Sequence, residues 1–157
     1  MEYISRISSK QTKNIEDTII DFERYWNLKD SQKFGTLFTE NAEFTDIMGQ
    51  VAVGKKQIEE MQRIIFENFM KNAVLNHNIL YIRNISEESI MATCKWKTLG
   101  HSNDTNDKLP ERKGIIQIIF HLIEDKWLIS LVQNFDFTAL YNNIDNYTMK
   151  YFNIDKK

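Results

Sequence analysis

Along the first third of the chain the apolar side chains fall at helical spacing. Ile15, Ile19, Phe22 and Trp26 recur four, three and four residues apart, which predicts a helix with one buried stripe. Thr12 or Asn14 is placed to cap it, and Glu16 and Asp17 lie in the first turn, where the helix dipole favours carboxylates. Asp30 or Ser31 offers a second cap before Phe34, Leu37 and Phe38, so a short second helix is expected, ended by a turn at Thr39-Glu40-Asn41. The period then changes to two. Ala42, Phe44 and Asp46 alternate with Glu43 and Thr45, a short strand with Phe44 and Asp46 on one face, and Gln50 to Val53 reads as a second strand after a Met48-Gly49 turn. Lys55 to Met70 reads as a helix with the stripe Ile58, Met61, Ile65 and Phe69.

The rest of the pattern is strand-like. Leu75 to Ile85 is mixed, as a bulged strand would be. In Ser89 to Leu99, Ile90, Ala92, Cys94 and Trp96 share one face, with Lys95 and Lys97 on the other. A polar loop covers residues 100–113, and Arg112 to Ile123 is apolar on both faces, as expected of a strand covered on both sides. Glu124-Asp125-Lys126 turns the chain into a last strand, Trp127 to Asn134. Beyond Phe135, Phe137, Leu140, Tyr141 and Ile144 return to helical spacing, followed by Tyr147, Tyr151 and Phe152. Three helices interleaved with a hairpin and followed by long antiparallel strands make an α+β domain. The helices cover one sheet face, and a second copy of the chain is the expected cover for the other. The boundaries read as a lead-in over 1–11, a domain over 12–137 and a helix or arm over 138–157.

Composition narrows the function classes. A chain of 157 residues with 42% hydrophobic and 27% charged residues is the size of one domain and has material for a core. A formal net charge of -2 with scattered lysines and arginines gives no pull towards nucleic acid or an acidic membrane. One cysteine, Cys94, forms no internal disulfide, and its apolar neighbours mark it as a small buried hydrophobe. The polar first thirteen residues lack the apolar stretch of a secretory signal, and no run reaches the roughly 18 residues of a membrane span, so a cytoplasmic location is expected. His77, His101 and His121 have no ligand spacing. Neither a metal nor an organic cofactor is expected.

Several strings, in order, resemble the nuclear-transport-factor-2-like superfamily. They are Tyr25-Trp26-Asn27-Leu28-Lys29-Asp30 before the short second helix, Leu37-Phe38-Thr39-Glu40-Asn41-Ala42-Glu43-Phe44, Gly54-Lys55-Lys56-Gln57-Ile58 at the third helix, and Arg112-Lys113-Gly114 with Asp125-Lys126-Trp127-Leu128-Ile129 and Gln133-Asn134-Phe135 in the closing hairpin. The resemblance covers roughly residues 15–137 and is nearest to the SnoaL-like, polyketide-cyclase-related branch. It implies a cone: three helices on a curved, mainly antiparallel sheet, with a pocket between them and a homodimer through the outer sheet face. The superfamily holds isomerases, cyclases, dehydratases and non-catalytic modules, so the fold alone does not give a function.

Within that frame Asp46 is the candidate catalytic residue. Phe44-Thr45-Asp46-Ile47-Met48-Gly49 resembles the string that holds the general base of ketosteroid isomerase. A carboxylate on an apolar strand face would have its pKa raised towards a useful range; the alternative is that Asp46 caps the Met48-Gly49 turn or pairs with an arginine. The resemblance puts Phe22 and Ile119 where that isomerase carries its oxyanion donors, which excludes steroid isomerisation of that kind. Phe22, Trp26, Phe44, Met61 and Trp96 are the candidate pocket walls or core, and Gln117 and His121 are candidate ligand-orienting groups, or else face solvent or a subunit interface. The expected partner is a small hydrophobic molecule, bound with or without acid–base chemistry of the isomerase, cyclase or dehydratase type.

Overall fold

The computed structural model describes residues 7–103, 105 and 107–137. The elements run α1 (Ser9–Asn27), α2 (Ser31–Gly35), β1 (Phe38–Thr45), β2 (Val51–Val53), α3 (Lys55–Glu67), β3 (Val74–Ser86), β4 (Ser89–Leu99), β5 (Arg112–Ile123) and β6 (Lys126–Asp136). The six strands form one mixed sheet in the order β2-β1-β6-β5-β4-β3, and the three helices complete the α+β cone. The expected helix or arm over 138–157 lies outside the described residues, as does most of the expected lead-in. No helix among the described residues is long and apolar enough to cross a membrane.

Helix α1 starts earlier than the acidic turn suggested. Ser8, not Thr12 or Asn14, is its cap, because Ser8 and Gln11 close a reciprocal box: the serine hydroxyl accepts the Gln11 N–H, and the Gln11 side chain accepts the Ser8 N–H. The stripe Ile15, Ile19, Phe22 and Trp26 is buried as expected. In α3 the buried positions are Ile58, Gln62 and Phe66; Met61 and Ile65 flank them and Phe69 is exposed. The aromatic ring of Phe66 takes the core place that the pattern gave to Phe69, since it meets Trp26 edge-on at 5.6 Å between centroids.

Two strand expectations are corrected. Thr39-Glu40-Asn41 is strand rather than turn, and Phe38 belongs to β1 rather than to α2. The pairing explains this. β1 runs parallel to β6 from Phe38 opposite Ile129, with a register shift before Glu43, so the local signal was overridden by a partner some ninety residues later in the chain. The remaining pairs, β1 with β2 and β3 through β6, are antiparallel.

The inner sheet face carries Ile79, Ile82, Ile90, Ala92, Cys94, Ile116, Ile118, Phe120, Ile129 and Val132 in register across β3 to β6. Against it, Phe22, Phe34, Phe38, Phe44 and Phe66 form a continuous set of ring contacts, with Phe34 fully buried at the centre. The outer face carries Tyr81, Met91, Ile115, Gln117, Ile119, His121 and Leu131.

Candidate functional site

One row of four register partners crosses the inner face near its open end: His77 on β3, Trp96 on β4, Gly114 on β5 and Asp136 on β6. With strands about 4.8 Å apart, the first and last backbones stand roughly 14 Å from each other. Gly114 is what lets this row close. A Cβ there would fall 1.9 Å from the Phe135 carbonyl and 2.5 Å from the Trp96 ring, so only glycine lets the indole lie flat over β5.

At the β3 end, His77 meets α1. Its side chain is buried, with the ring edge-on to Phe22 at 5.3 Å between centroids. Glu23 is the next residue along α1. Its Oε2 accepts the backbone N–H of His77 at 2.6 Å and lies 3.6 Å from Nδ1 of the same residue. His77 Nδ1 has no hydrogen-bond partner among the described residues, so the carboxylate is its nearest complement. The His77 side chain, opposed by burial and helped by the backbone bond, holds the Glu23 carboxyl below its ordinary value. Glu23 is therefore ionised through the neutral range beside an imidazole fixed in position.

At the other end, Arg112 and Asp136 form an ion pair, part-buried at the rim of the same face. His101 is sealed beside them at 1% exposure. Burial first, then the Arg112 charge, push its imidazole below the ordinary value, and Asp136 opposes them. Both ring nitrogens of His101, Trp96 Nε1, Thr98 Oγ1 and Asn134 Oδ1 are sealed without hydrogen-bond partners among the described residues. Sealed polar atoms of this kind each cost about 1–3 kcal/mol, and so many along one side of a core call for an explanation.

The residues singled out in the sequence are distributed differently. Asp46 is committed to its turn: Oδ1 accepts the backbone N–H groups of Met48 and Gln50, both at 2.8 Å, and Gly49 supplies the positive φ of +79° that the turn needs. Phe22, Trp26, Phe44 and Trp96 are buried core residues, and Met61 packs against them. Gln117 and His121 stand on the outer face, opposite the helices, so they are not brought together with the aromatic set. His121 Nδ1 is 3.0 Å from the Ser89 hydroxyl across the strand pair. Cys94 is fully buried, and burial pushes its thiol up to about 12, which removes it as a nucleophile. The pair that the pattern did not select is Glu23 and His77. The available signal was a polar seam beside the apolar stripe of α1, Glu23 and Asn27 four residues apart. Asn27 also faces β3, donating to the Leu75 carbonyl at 2.9 Å and accepting the Leu75 N–H at 2.8 Å.

Among the described residues no three His, Cys, Asp or Glu side chains converge as a cation site. No family model matches the chain, and no curated protein matches it. Solved structures do. An uncharacterised protein with a cystatin-like fold from Caulobacter vibrioides aligns at a TM-score of 0.78 and 16% identity, over 89% of this chain and 99% of that one. An NTF-2 like protein of unknown function from Shewanella oneidensis aligns at 0.65 and 17%, over 80% and 98%. A hexachlorocyclohexane dehydrochlorinase aligns at 0.75 and 11%, over 82% and 86%. The fold is therefore the nuclear-transport-factor-2-like cone. At these identities the likeness speaks for the fold alone.

Proposed function

We propose that the interior of the cone binds a small hydrophobic molecule and that Glu23 and His77 act on it as an acid–base couple. The observation that carries this reading is the placement of the pair, a buried imidazole with an ionised carboxylate 3.6 Å from Nδ1, on the sheet face that also carries the apolar core. The Glu23 carboxylate orients the ring and stabilises the imidazolium. The distal nitrogen then takes a proton from an activated carbon, next to a carbonyl or one bond from a leaving group. The C–H electron pair forms the new double bond. In an elimination the leaving group departs with its own pair, and in an isomerisation the proton returns at another carbon. Trp96 Nε1 is a donor that a ligand oxygen would satisfy, whereas Asn134 Oδ1 is an acceptor that calls for a ligand hydroxyl. The likeness to a dehydrochlorinase, whose name denotes an elimination, is in keeping with this chemistry.

The test is solvent-deuterium exchange at acidic C–H positions across a panel of cyclic ketones and β-chloro or β-hydroxy cyclohexyl compounds. His77→Gln should lose about 10²–10⁴ in exchange rate. Glu23→Gln keeps an oxygen for the His77 N–H, so it should fold and yet also lose rate. Exchange at wild-type rate in His77→Gln ends the catalytic reading. Ligand-dependent stabilisation without exchange, about 2.7 kcal/mol at a hundred times Kd, makes the protein a binding module instead.

A homodimer through the outer sheet face is the second part of the proposal. Tyr81, Met91, Ile119 and Leu131 form an apolar strip there, with Tyr81 53% exposed, and a contiguous apolar strip on a sheet is the kind of surface a second copy would cover. Gln117 and His121 then belong to the interface.

A further inference from the structure

Two adjacent register rows cross the outer sheet face from β3 to β1. One runs Arg83, Met91, Ile119, Leu131 and Glu43, apolar in the middle with a guanidinium at one end and a carboxylate at the other. The row beside it runs Tyr81, Thr93, Gln117, Gln133 and Thr45 and carries no charge. β5 is the middle strand of both rows. Arg83 and Glu43 therefore stand two strands to either side of it, roughly 19 Å apart at about 4.8 Å per strand. Both are exposed, and among the described residues neither forms an ion pair. A row with opposite charges at its two ends is complementary to itself when turned round. A carboxamide carries both a donor and an acceptor, so Gln117 and Gln133 can also bond to groups identical with themselves, which a two-fold interface requires.

We propose that this face binds a second copy of the chain about a two-fold axis that runs parallel to the strands and is centred on β5. The inference rests on the homodimer reading above and adds the orientation and the residues that set it. The axis reverses the order of the strands and keeps each row on itself. Arg83 then lies over Glu43 of the second copy, and Glu43 over its Arg83. Met91 meets Leu131 of the second copy, Ile119 meets Ile119, Gln117 meets Gln117, and Gln133 meets Thr93. The other axis that stacks a row on itself lies along the row. It would set Arg83 over Arg83 and Glu43 over Glu43, and like charges facing each other suppress that arrangement. The apolar middle supplies the contact area and the charged ends select the orientation.

Sedimentation equilibrium at low salt on charge-swapped variants tests this, with circular dichroism as the control for folding. Arg83→Glu and Glu43→Arg each turn two attractions into two repulsions, so each alone should weaken dimerisation about tenfold or more. Both substitutions in one chain restore opposite charges in the reverse order and should dimerise as the natural protein does. Gln117→Cys lies on the axis and should form an intermolecular disulfide under mild oxidation, while Gln133→Cys should not. Cys94 is fully buried and leaves the background clean. Single swaps that dimerise at natural strength, a double swap that stays weak, or crosslinking of Gln133→Cys as readily as of Gln117→Cys overturns the orientation while the dimer itself stands. A natural protein that is monomeric at micromolar concentration overturns the dimer as well and leaves the face to a different protein.

Discussion

Lys29 sits in the left-handed region at a φ of +58°, a position that glycine usually fills at a helix end. The backbone N–H groups of Lys29 and Asp30 return to the carbonyls of Trp26 and Tyr25, which closes α1. The side chain folds back over Trp26, with Nζ 3.7 Å from the ring centroid, and donates to the Ala73 carbonyl at 2.6 Å. Burial pulls this ammonium down to about 8. Below that pH the folded protein carries a charge in a poorly solvated place. Between about 8 and the ordinary lysine value of 10.5 the folded state has released the proton and the unfolded state has not, so stability gains as pH rises through this window. The group is half exposed, so the gain is well under what the full shift implies. The stability of Lys29→Met relative to the natural protein should therefore be highest near pH 7 and decline by pH 10, read from denaturant unfolding at both pH values. A constant difference would show that Lys29 does not titrate in the window. Asp46 belongs to the same scale. Asp46→Ala removes two acceptor contacts from the 46–50 turn and should cost about 1–2 kcal/mol, while leaving proton exchange at the interior pair intact. Loss of exchange with an unchanged melting temperature would return the catalytic role to Asp46.

Between elements, the seam of α1 on β3 matters most. β3 is an edge strand, and an edge presents unpaired N–H and C=O groups to any passing strand. Glu23 and Asn27, one helical turn apart, take up the Leu75 and His77 N–H groups and the Leu75 carbonyl, so the helix stands in for a seventh strand. Asn27→Ala should destabilise by about 1–3 kcal/mol and speed amide hydrogen exchange at Leu75, with little change along β5. Uniform faster exchange would mean that Asn27 supports the fold globally and not this edge. Periods of 3.6 and 2 located nearly every element, and β4 and β5 are read correctly end to end. What the pattern misassigned, it misassigned at junctions. The stripe of α3 was set one residue off from Met61 onward because a polar Gln62 at 3% exposure breaks the rule that buried means apolar. The start of β1 was hidden because a parallel partner leaves no local hairpin signal.

The whole molecule presents two sheet faces with different fates. The inner face carries the aromatic rings and the polar row from His77 to Asp136. The outer face carries the apolar strip of Met91, Ile119 and Leu131. If the strip is a dimer interface, multi-angle light scattering at micromolar concentration should give twice the chain mass, and Ile119→Glu should give a folded monomer. A monomeric natural protein would leave the strip without that role.

The sequence by itself determined the fold class, the number and order of the described elements and most of the core, because these depend on apolar periodicity and on caps within a few residues of one another. The tertiary structure alone decided which polar residues meet. Glu23 and His77 are 54 residues apart and become neighbours only because α1 lies along the edge of β3. Asp46, by contrast, finds its partners two and four residues away, within the reach of a local turn. The face taken by Gln117 and His121 was likewise open in the sequence, since a strand apolar on both sides has no inside until its neighbours are in place.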